Sequence, residues 1–262
     1  MPPIPPIWVP SYPGSGSELF RDLLHSFTGR PASDIYDDMK AVCQGSVMCK
    51  THWPTFKAKS PMEIEANTKK PATFHNTTAW LLMRHPAKAL PSFRNFLYEV
   101  NNGADHHVQQ APEEAWIEWR DRRFQRDIKR WTRMIRTWHH GAEADTKLPP
   151  LRVSLIIPYE DLVHPQHGLT VVEQLHQQLQ AAGHTNVDLP QMKCAWKHHV
   201  LDRPGKKRSS RGYVPRFTVE QWQNMRMAIR DLQDEFCPNE VVLCHWLTAY
   251  QADIATFLKA EE

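Results

Sequence analysis

Two basic side chains stand two residues apart in the segment Cys49-Lys50-Thr51-His52. The segment follows a short apolar run, which predicts that it lies at the end of a β-strand. In extended backbone, residues i and i+2 project from the same face, so Lys50 and His52 are expected to act on the same group. An imidazole can take a proton from that group, and an ammonium can stabilise negative charge on it. Plainer interpretations are a core histidine and a surface lysine that caps the strand.

A glycine-rich turn, Ser11-Tyr12-Pro13-Gly14-Ser15-Gly16-Ser17, joins an apolar run at residues 7–9 to a helical pattern. The glycines let the backbone approach a ligand, Ser15 and Ser17 add hydroxyls, and the first N–H groups of the helix favour an anion. The segment 12–17 is therefore a candidate anion-binding site. The Walker motif GxxxxGK[ST] cannot be matched, which disfavours a nucleotide kinase or an ATPase. An ordinary strand-to-helix connection has a similar composition, so the turn needs partners elsewhere.

Further polar side chains follow two other apolar runs. Arg84 ends the run at 80–83, and Ser92 comes eight residues later, where a helix could return its hydroxyl towards Arg84. Tyr159 follows the run at 153–157. Ligands of parallel sheets bind beyond the carboxyl ends of the strands. Basic side chains at several strand ends therefore indicate a binding site more strongly than any one of them does alone.

The runs at 7–9, 47–49, 80–83 and 153–157 are predicted to be four short strands. They are nearly continuous in apolar residues and are separated by helical or long segments. This pattern predicts an α/β fold with a central parallel sheet flanked by helices. The first helix has apolar residues at helical spacing from Leu19 to Phe27 and is predicted to end at Gly29.

The rest of the chain is predicted to be largely helical. A long amphipathic helix is expected within 104–143, with a solvated arginine-rich face and the apolar stripe Ile117, Phe124, Ile128, Trp131, Ile135 and Trp138. The last helix is predicted to open at Thr218, where Gln221 completes a capping box. Residues 58–78 are expected to be a surface insertion, and residues 183–211 a loop-rich region that ends in a basic run.

Length and composition limit the function classes. The chain has 262 residues, of which 41% are hydrophobic, so one domain is predicted over 1–262, with segments 7–100, 104–143 and 150–262. A net charge of +3 argues against nucleic-acid binding but allows one anion pocket. No membrane span is expected, because no run of about 18 uncharged apolar residues occurs. The N-terminal MPPIPPIWVP lacks the basic start and long apolar centre of a signal peptide.

Five cysteines and fifteen histidines raise the questions of redox state and metal binding. The odd, small number of cysteines predicts reduced thiols. The histidine pairs at 106–107, 139–140 and 198–199 are adjacent in sequence, and no CxxC occurs, so no metal site is predicted. The chain is expected to be cytoplasmic as written, or to lie in the Golgi lumen if it is part of a secretory-pathway enzyme. In that case the sequon Asn76-Thr77-Thr78 would matter.

These segments together resemble the sulfotransferases that use 3′-phosphoadenosine 5′-phosphosulfate (PAPS). The turn at 11–17 is similar to the 5′-phosphosulfate loop of that family, and Lys50-Thr51-His52-Trp53-Pro54 is similar to its catalytic KTHxP segment. The remaining similarities, in chain order, are Arg84-His85-Pro86 with Ser92 (3′-phosphate motif), Pro158-Tyr159-Glu160-Asp161-Leu162 (YEDL segment), and Lys206-Lys207-Arg208 with Gly212 and Phe217-Thr218 (C-terminal basic loop).

The resemblance implies a P-loop-like sulfotransferase fold and direct in-line transfer of a sulfuryl group from PAPS to a hydroxyl or amine, leaving 3′,5′-ADP and requiring no metal. It implies that His52 is the general base and that Lys50 stabilises the sulfuryl group and the leaving oxygen. The 5′ end would be held by Tyr12, Pro13, Gly14, Ser15, Gly16 and Ser17. The 3′-phosphate would be held by Arg84, Ser92 and one of Lys206, Lys207 and Arg208. Tyr159 would orient the site through its hydroxyl or be a structural residue.

Two positions depart from the family pattern. Gly14 stands where a lysine is common, and Leu19 stands where an aromatic residue is frequent, so part of the charge neutralisation and adenine packing is expected from elsewhere. Alternative functions are a P-loop-type nucleotide kinase and a catalytically degenerate domain that binds a nucleotide or a glycan. The acceptor is expected to be a small molecule or a glycan. Aromatic residues that could line its pocket are Trp53, Phe56, Phe93, Phe96 and Tyr98.

Overall fold

Three of the four apolar runs form strands that are buried along their whole length, as their near-continuous apolar sequence requires, whereas the strand of the run at 153–157 is buried only from Ile156 onward. The computed structural model describes residues 4–36, 43–56, 58, 78–104, 108–140, 153–202 and 213–260. Within them the strands are β1 Ile7–Pro10, β2 Ser33–Asp34, β3 Met48–Thr51, β4 Ala79–Met83 and β5 Val153–Pro158. They form one parallel sheet in the order β2-β3-β1-β4-β5, so the α/β prediction is confirmed.

Helices make up most of the remaining described residues. They are α1 Ser17–Thr28, α2 Pro86–Asn101, α3 Glu113–His140, α4 Tyr159–Leu162, α5 Gly168–Ala181, α6 Leu189–Trp196, α7 Val219–Phe236 and α8 Val241–Ala260. A π-helical turn, Lys197–Leu201, continues α6. In the described ranges no helix combines the length and the apolar character that crossing a membrane demands.

The chain divides into two compact units. The first comprises Met1–Arg84 and Met134–Pro204, and the second comprises His85–Arg133 and Gly205–Glu262. Compact units also occur within one domain, so the single domain over 1–262 stays a prediction.

The first unit contains the sheet and its main apolar core. Helix α1 buries Leu19, Phe20, Leu23, Leu24 and Phe27 in that core, at the spacing seen in the sequence. Each such side chain contributes about 1.5–3 kcal/mol on burial. The helix ends where predicted, because Gly29 adopts the left-handed conformation with φ 64° and its N–H bonds to the carbonyl of His25.

The second unit is helical in its described residues. Its α7 opens at Thr218 with the predicted capping box to Gln221, and Trp222, Met225, Ile229 and Leu232 are buried. The carboxylate of Glu99 is fully buried and accepts the backbone N–H groups of Val108 and Gln109, both at 2.6 Å. These two hydrogen bonds join the end of α2 to the segment that precedes α3.

Several local predictions were wrong. Strand β2 was missed because a two-residue polar strand carries no apolar run, and α8 follows the helix that was expected to be last. The region 183–211 contains α6, whose N-terminus is capped by the carboxylate of Asp188. In α3, Ile117 is 40% exposed, whereas the other five residues of the predicted stripe are buried. Residues 59–77, 141–152 and 203–212 lie outside the described residues, and with them Asn76 and most of the predicted insertion.

The prediction of reduced thiols was also wrong. Cys43 is joined to Cys49, and Cys237 is joined to Cys244. The fifth cysteine, Cys194, is free and exposed, which explains the odd count. The disulfide Cys43–Cys49 closes the short segment that leads into β3. The disulfide Cys237–Cys244 joins the end of α7 to the first turn of α8.

Candidate active site at the carboxyl ends of the strands

The turn between β1 and α1 uses backbone conformations that favour glycine. Gly14 and Gly16 have φ of 85° and 89°, and within the described residues no side chain caps the N-terminus of α1. Ser11 and Ser15 are at most 1% exposed, and their hydroxyls have no hydrogen-bond partner among the described residues. Buried hydroxyls without a partner are costly. Both hydroxyls are therefore available as donors for a ligand at the turn.

The imidazole of His52 is held against this turn by the end of β3. Its Nδ1 lies 2.7 Å from the carbonyl oxygen of Ser11. A carbonyl oxygen only accepts, so Nδ1 carries the proton, and Nε2 of the neutral ring keeps a lone pair. The backbone N–H of His52 donates to the hydroxyl of Tyr36 at 3.1 Å. The ring is thus oriented with its basic nitrogen turned away from Ser11.

The surroundings keep His52 uncharged. Desolvation of the ring lowers its pKa to about 4, with a further contribution from the positive charge of Lys50, while the carbonyl of Ser11 and the carboxylates of Glu18 and Asp34 oppose the shift. At neutral pH the ring is therefore in the form that can accept a proton. Burial also raises the pKa of Tyr36 to about 12, so this phenol stays protonated.

Lys50 lies in a network of four charged groups. Its ammonium contacts Oε1 of Glu18 and is 3.7 Å from Oδ2 of Asp34. Arg21 joins the same two carboxylates, at 2.7 Å from Glu18 and 3.4 Å from Asp34. Asp34 stands directly opposite Lys50 in the pairing of β2 with β3. The four formal charges cancel, so the positive charge that Lys50 would offer a ligand is compensated in this structure.

Arg84 reaches the same turn from the end of β4. Its Nη1 donates to the carbonyl oxygen of Gly14 at 2.7 Å, and its guanidinium carbon lies 4.3 Å from the ring centroid of Tyr159. A Cβ atom at Gly16 would stand 2.1 Å from that ring. Tyr159 thus contacts the site through its ring, where the sequence analysis considered its hydroxyl.

Most of the predicted set that the structure describes lies in one compact unit. The turn, His52, Lys50, Arg84 and Tyr159 belong to the first unit, whereas Ser92 lies in α2 of the second. Lys206, Lys207 and Arg208 lie outside the described residues. Among the described residues, no group of three His, Cys, Asp or Glu side chains is arranged to hold a metal ion.

Three residues of the site were missed by the sequence analysis: Glu18, Asp34 and Tyr36. Glu18 has the appearance of an ordinary acid in the first turn of a helix, where the helix dipole favours it. Asp34 and Tyr36 lie in and just after the two-residue strand β2, which has no sequence signature. The sequence did contain one signal for such counter-charges. Glu18 directly follows the candidate anion-binding turn, and a negative charge there would repel an anion unless a cation paired with it.

Comparison with known proteins gives no further identification. No protein-family model matches the chain, and no curated protein sequence matches it.

Proposed function

We propose that this protein is a PAPS-dependent sulfotransferase that transfers a sulfuryl group to a hydroxyl or amine of its acceptor. The proposal includes the P-loop-like sulfotransferase fold. The observation that carries it is the meeting of strand ends at one glycine turn. His52 contacts Ser11 at 2.7 Å, and Arg84 contacts Gly14 at 2.7 Å. A proton acceptor and a guanidinium thus flank a turn of the kind that binds anions.

The residues of the turn fit an anionic donor. The hydroxyls of Ser11 and Ser15 and the N-terminus of α1, to which the described residues offer no partner and no side-chain cap, supply donors for the 5′ end. Arg84 supplies a positive charge next to Gly14, the position that lacks the lysine common in the family. The roles of Arg84, Ser92 and one of Lys206, Lys207 and Arg208 towards the 3′-phosphate stay predictions.

His52 is the general base in this proposal. Its Nδ1–H is fixed by Ser11, so Nε2 takes the proton of the acceptor hydroxyl while the imidazolium is stabilised by the Ser11 carbonyl. Such positioned proton transfer contributes on the order of 10²–10⁴-fold. PAPS, when bound, supplies an already activated sulfuryl group. The protein then has mainly to position the reactants and to stabilise charge, by analogy with phosphoryl transfer.

The test is transfer from ³⁵S-labelled PAPS to mixed acceptors by wild-type protein, His52→Ala and the control His245→Ala. His245 is exposed on α8, far along the chain from the turn. We expect His52→Ala to lose turnover by at least about a hundredfold. Binding of 3′,5′-ADP, measured by calorimetry, should stay within about threefold of wild type. Equal turnover by wild type and His52→Ala would remove His52 from the chemistry.

A nucleotide-binding domain without turnover is the second candidate. The ion pairs of Lys50 favour it, because they compensate the charge assigned to the transferring group. Binding of 3′,5′-ADP without transfer to any acceptor would support this candidate. Turnover that requires ATP and Mg²⁺ would instead support a nucleotide kinase.

A further inference from the structure

Glu18 is an acidic side chain whose place conflicts with an anionic ligand at the turn. It is the second residue of α1, directly after the glycine turn, and its carboxylate contacts Lys50 and Arg21. A helix dipole stabilises an acid there only weakly. A negative charge beside an anion site opposes binding of the anion. The contact with Lys50 resolves this conflict only while the carboxylate stays paired.

Lys50 is well placed to be shared between two anions. It is 7% exposed, so its ammonium must keep a carboxylate or another anion as partner. Arg21 contacts both carboxylates, so the two acids differ mainly in exposure. The side chain of Glu18 is 35% exposed and can turn into water, whereas that of Asp34 is 9% exposed and has less access to water. Glu18 is therefore the partner that an incoming anion would displace.

We propose that Glu18 is a positioning residue that holds Lys50 until an anionic donor replaces its carboxylate at the ammonium. The inference rests on the proposed function, because it assigns the replacing anion to the 5′ end of the donor. It follows that Glu18 weakens donor affinity. Its removal leaves Lys50, Arg21 and Asp34 with one net positive charge facing the turn.

The first test measures 3′,5′-ADP binding by calorimetry for wild type, Glu18→Gln and the control Glu113→Gln. Glu113 is an exposed acid in the first turn of α3 and matches Glu18 in helix position. We expect Glu18→Gln to bind on the order of five- to tenfold more tightly and Glu113→Gln to be unchanged. In a Lys50→Met background the gain should disappear. A gain that persists there would show simple charge repulsion by Glu18 and overturn the inference.

The second test does not depend on nucleotide binding. Trace acetylation with mass-spectrometric mapping reports how accessible each lysine amine is, and Lys193 serves as internal reference because it pairs with Glu173 at 2.6 Å. Lys50 should be acetylated roughly several-fold faster in Glu18→Gln than in wild type, because its amine has lost one carboxylate partner. Inorganic sulfate should protect Lys50 at a lower concentration in the variant. Equal protection in the two proteins overturns the inference.

The outcomes separate the two proposals. If neither protein binds 3′,5′-ADP, the sulfotransferase proposal fails, and sulfate protection of Lys50 alone decides the role of Glu18. If both proteins bind 3′,5′-ADP equally, Glu18 does not compete with the donor, and the sulfotransferase proposal stands without it. The acetylation arm also covers the case in which Lys50→Met does not fold.

Discussion

His52 combines a fixed tautomer with an unusually low pKa. A base of low pKa is available at every physiological pH but is weak, and a strong general base has a pKa closer to the pH at which it works. The main cause of the low value is desolvation, and the second is the charge of Lys50. A donor bound next to Lys50 would bring further negative charge, beyond that of the carboxylates that already pair with Lys50. The pKa of His52 should therefore rise when the donor binds.

The rates kcat/KM and kcat are therefore expected to decrease at different pH values as the solution is made more acidic. The value of kcat/KM for the donor depends on groups of the free enzyme. It should decrease as the pH is lowered through about 4, well below the ordinary histidine pKa of about 6.5. The decrease of kcat at saturating donor reports the complex and should lie at higher pH. Steady-state kinetics with stability checked at each pH would measure both. A kcat that decreases at a lower pH than kcat/KM would contradict the assignment of Lys50 as the neighbouring charge.

Gly16 provides a second prediction for a single residue. It has φ 89°, and an added Cβ would stand 2.1 Å from Cε2 of Tyr159. Gly16→Ala should therefore destabilise the protein by about 1–3 kcal/mol and displace Tyr159 from Arg84. Gly29→Ala is the matched control, because Gly29 has φ 64° but its added Cβ would have no atom of another described residue, apart from its chain neighbours, within 4 Å. Urea unfolding should show the larger loss for Gly16→Ala, and equal losses would mean that backbone strain alone matters.

At the scale of elements, the sequence was informative where apolar residues repeat. Four strands, α1 and the start of α7 follow from such repeats and from caps. Strand β2 and its Asp34 could not be found, because a two-residue edge strand is defined by its neighbour β3 and not by its own residues. The disulfides were not predicted, because pairing depends on the distance between cysteines in the folded protein, which the sequence does not give. The odd number of cysteines also suggested that none of them was paired. The candidate site was therefore predicted without its counter-charges.

The disulfide Cys43–Cys49 should stabilise the element that carries Lys50. It fixes the approach to β3, and Cys49 directly precedes Lys50. Closing so short a segment is worth about 2 kcal/mol in the chain-entropy treatment. Cys43→Ala with Cys49→Ala should lower the free energy of unfolding by about that amount. Cys194→Ala, at a free and exposed thiol, is the control and should change it by less than about 0.5 kcal/mol. Added reductant should lower the stability of wild type but have less effect on the double variant.

For the whole molecule, the two disulfides and the mild charge of +3 have different consequences. Disulfides persist mainly in oxidising surroundings, so the two segments that they close depend on the redox conditions around the protein. The small net charge means that binding of an anionic donor must come from local groups at the turn. Long-range attraction by the protein as a whole contributes little.

Local recognition predicts a ranking of nucleotides in thermal unfolding. At about a hundredfold excess over Kd, a ligand that binds only the folded state adds about 2.7 kcal/mol, which raises Tm by roughly 5–10 °C for a protein of this size. We expect 3′,5′-ADP to reach that shift and 5′-AMP to fall short of it at equal concentration, because 5′-AMP lacks the 3′-phosphate. Arg84→Ala should reduce both shifts, since Arg84 contacts the turn through Gly14. If Arg84→Ala reduced only the 3′,5′-ADP shift, the guanidinium would serve the 3′-phosphate, and the turn would hold the 5′ end without it.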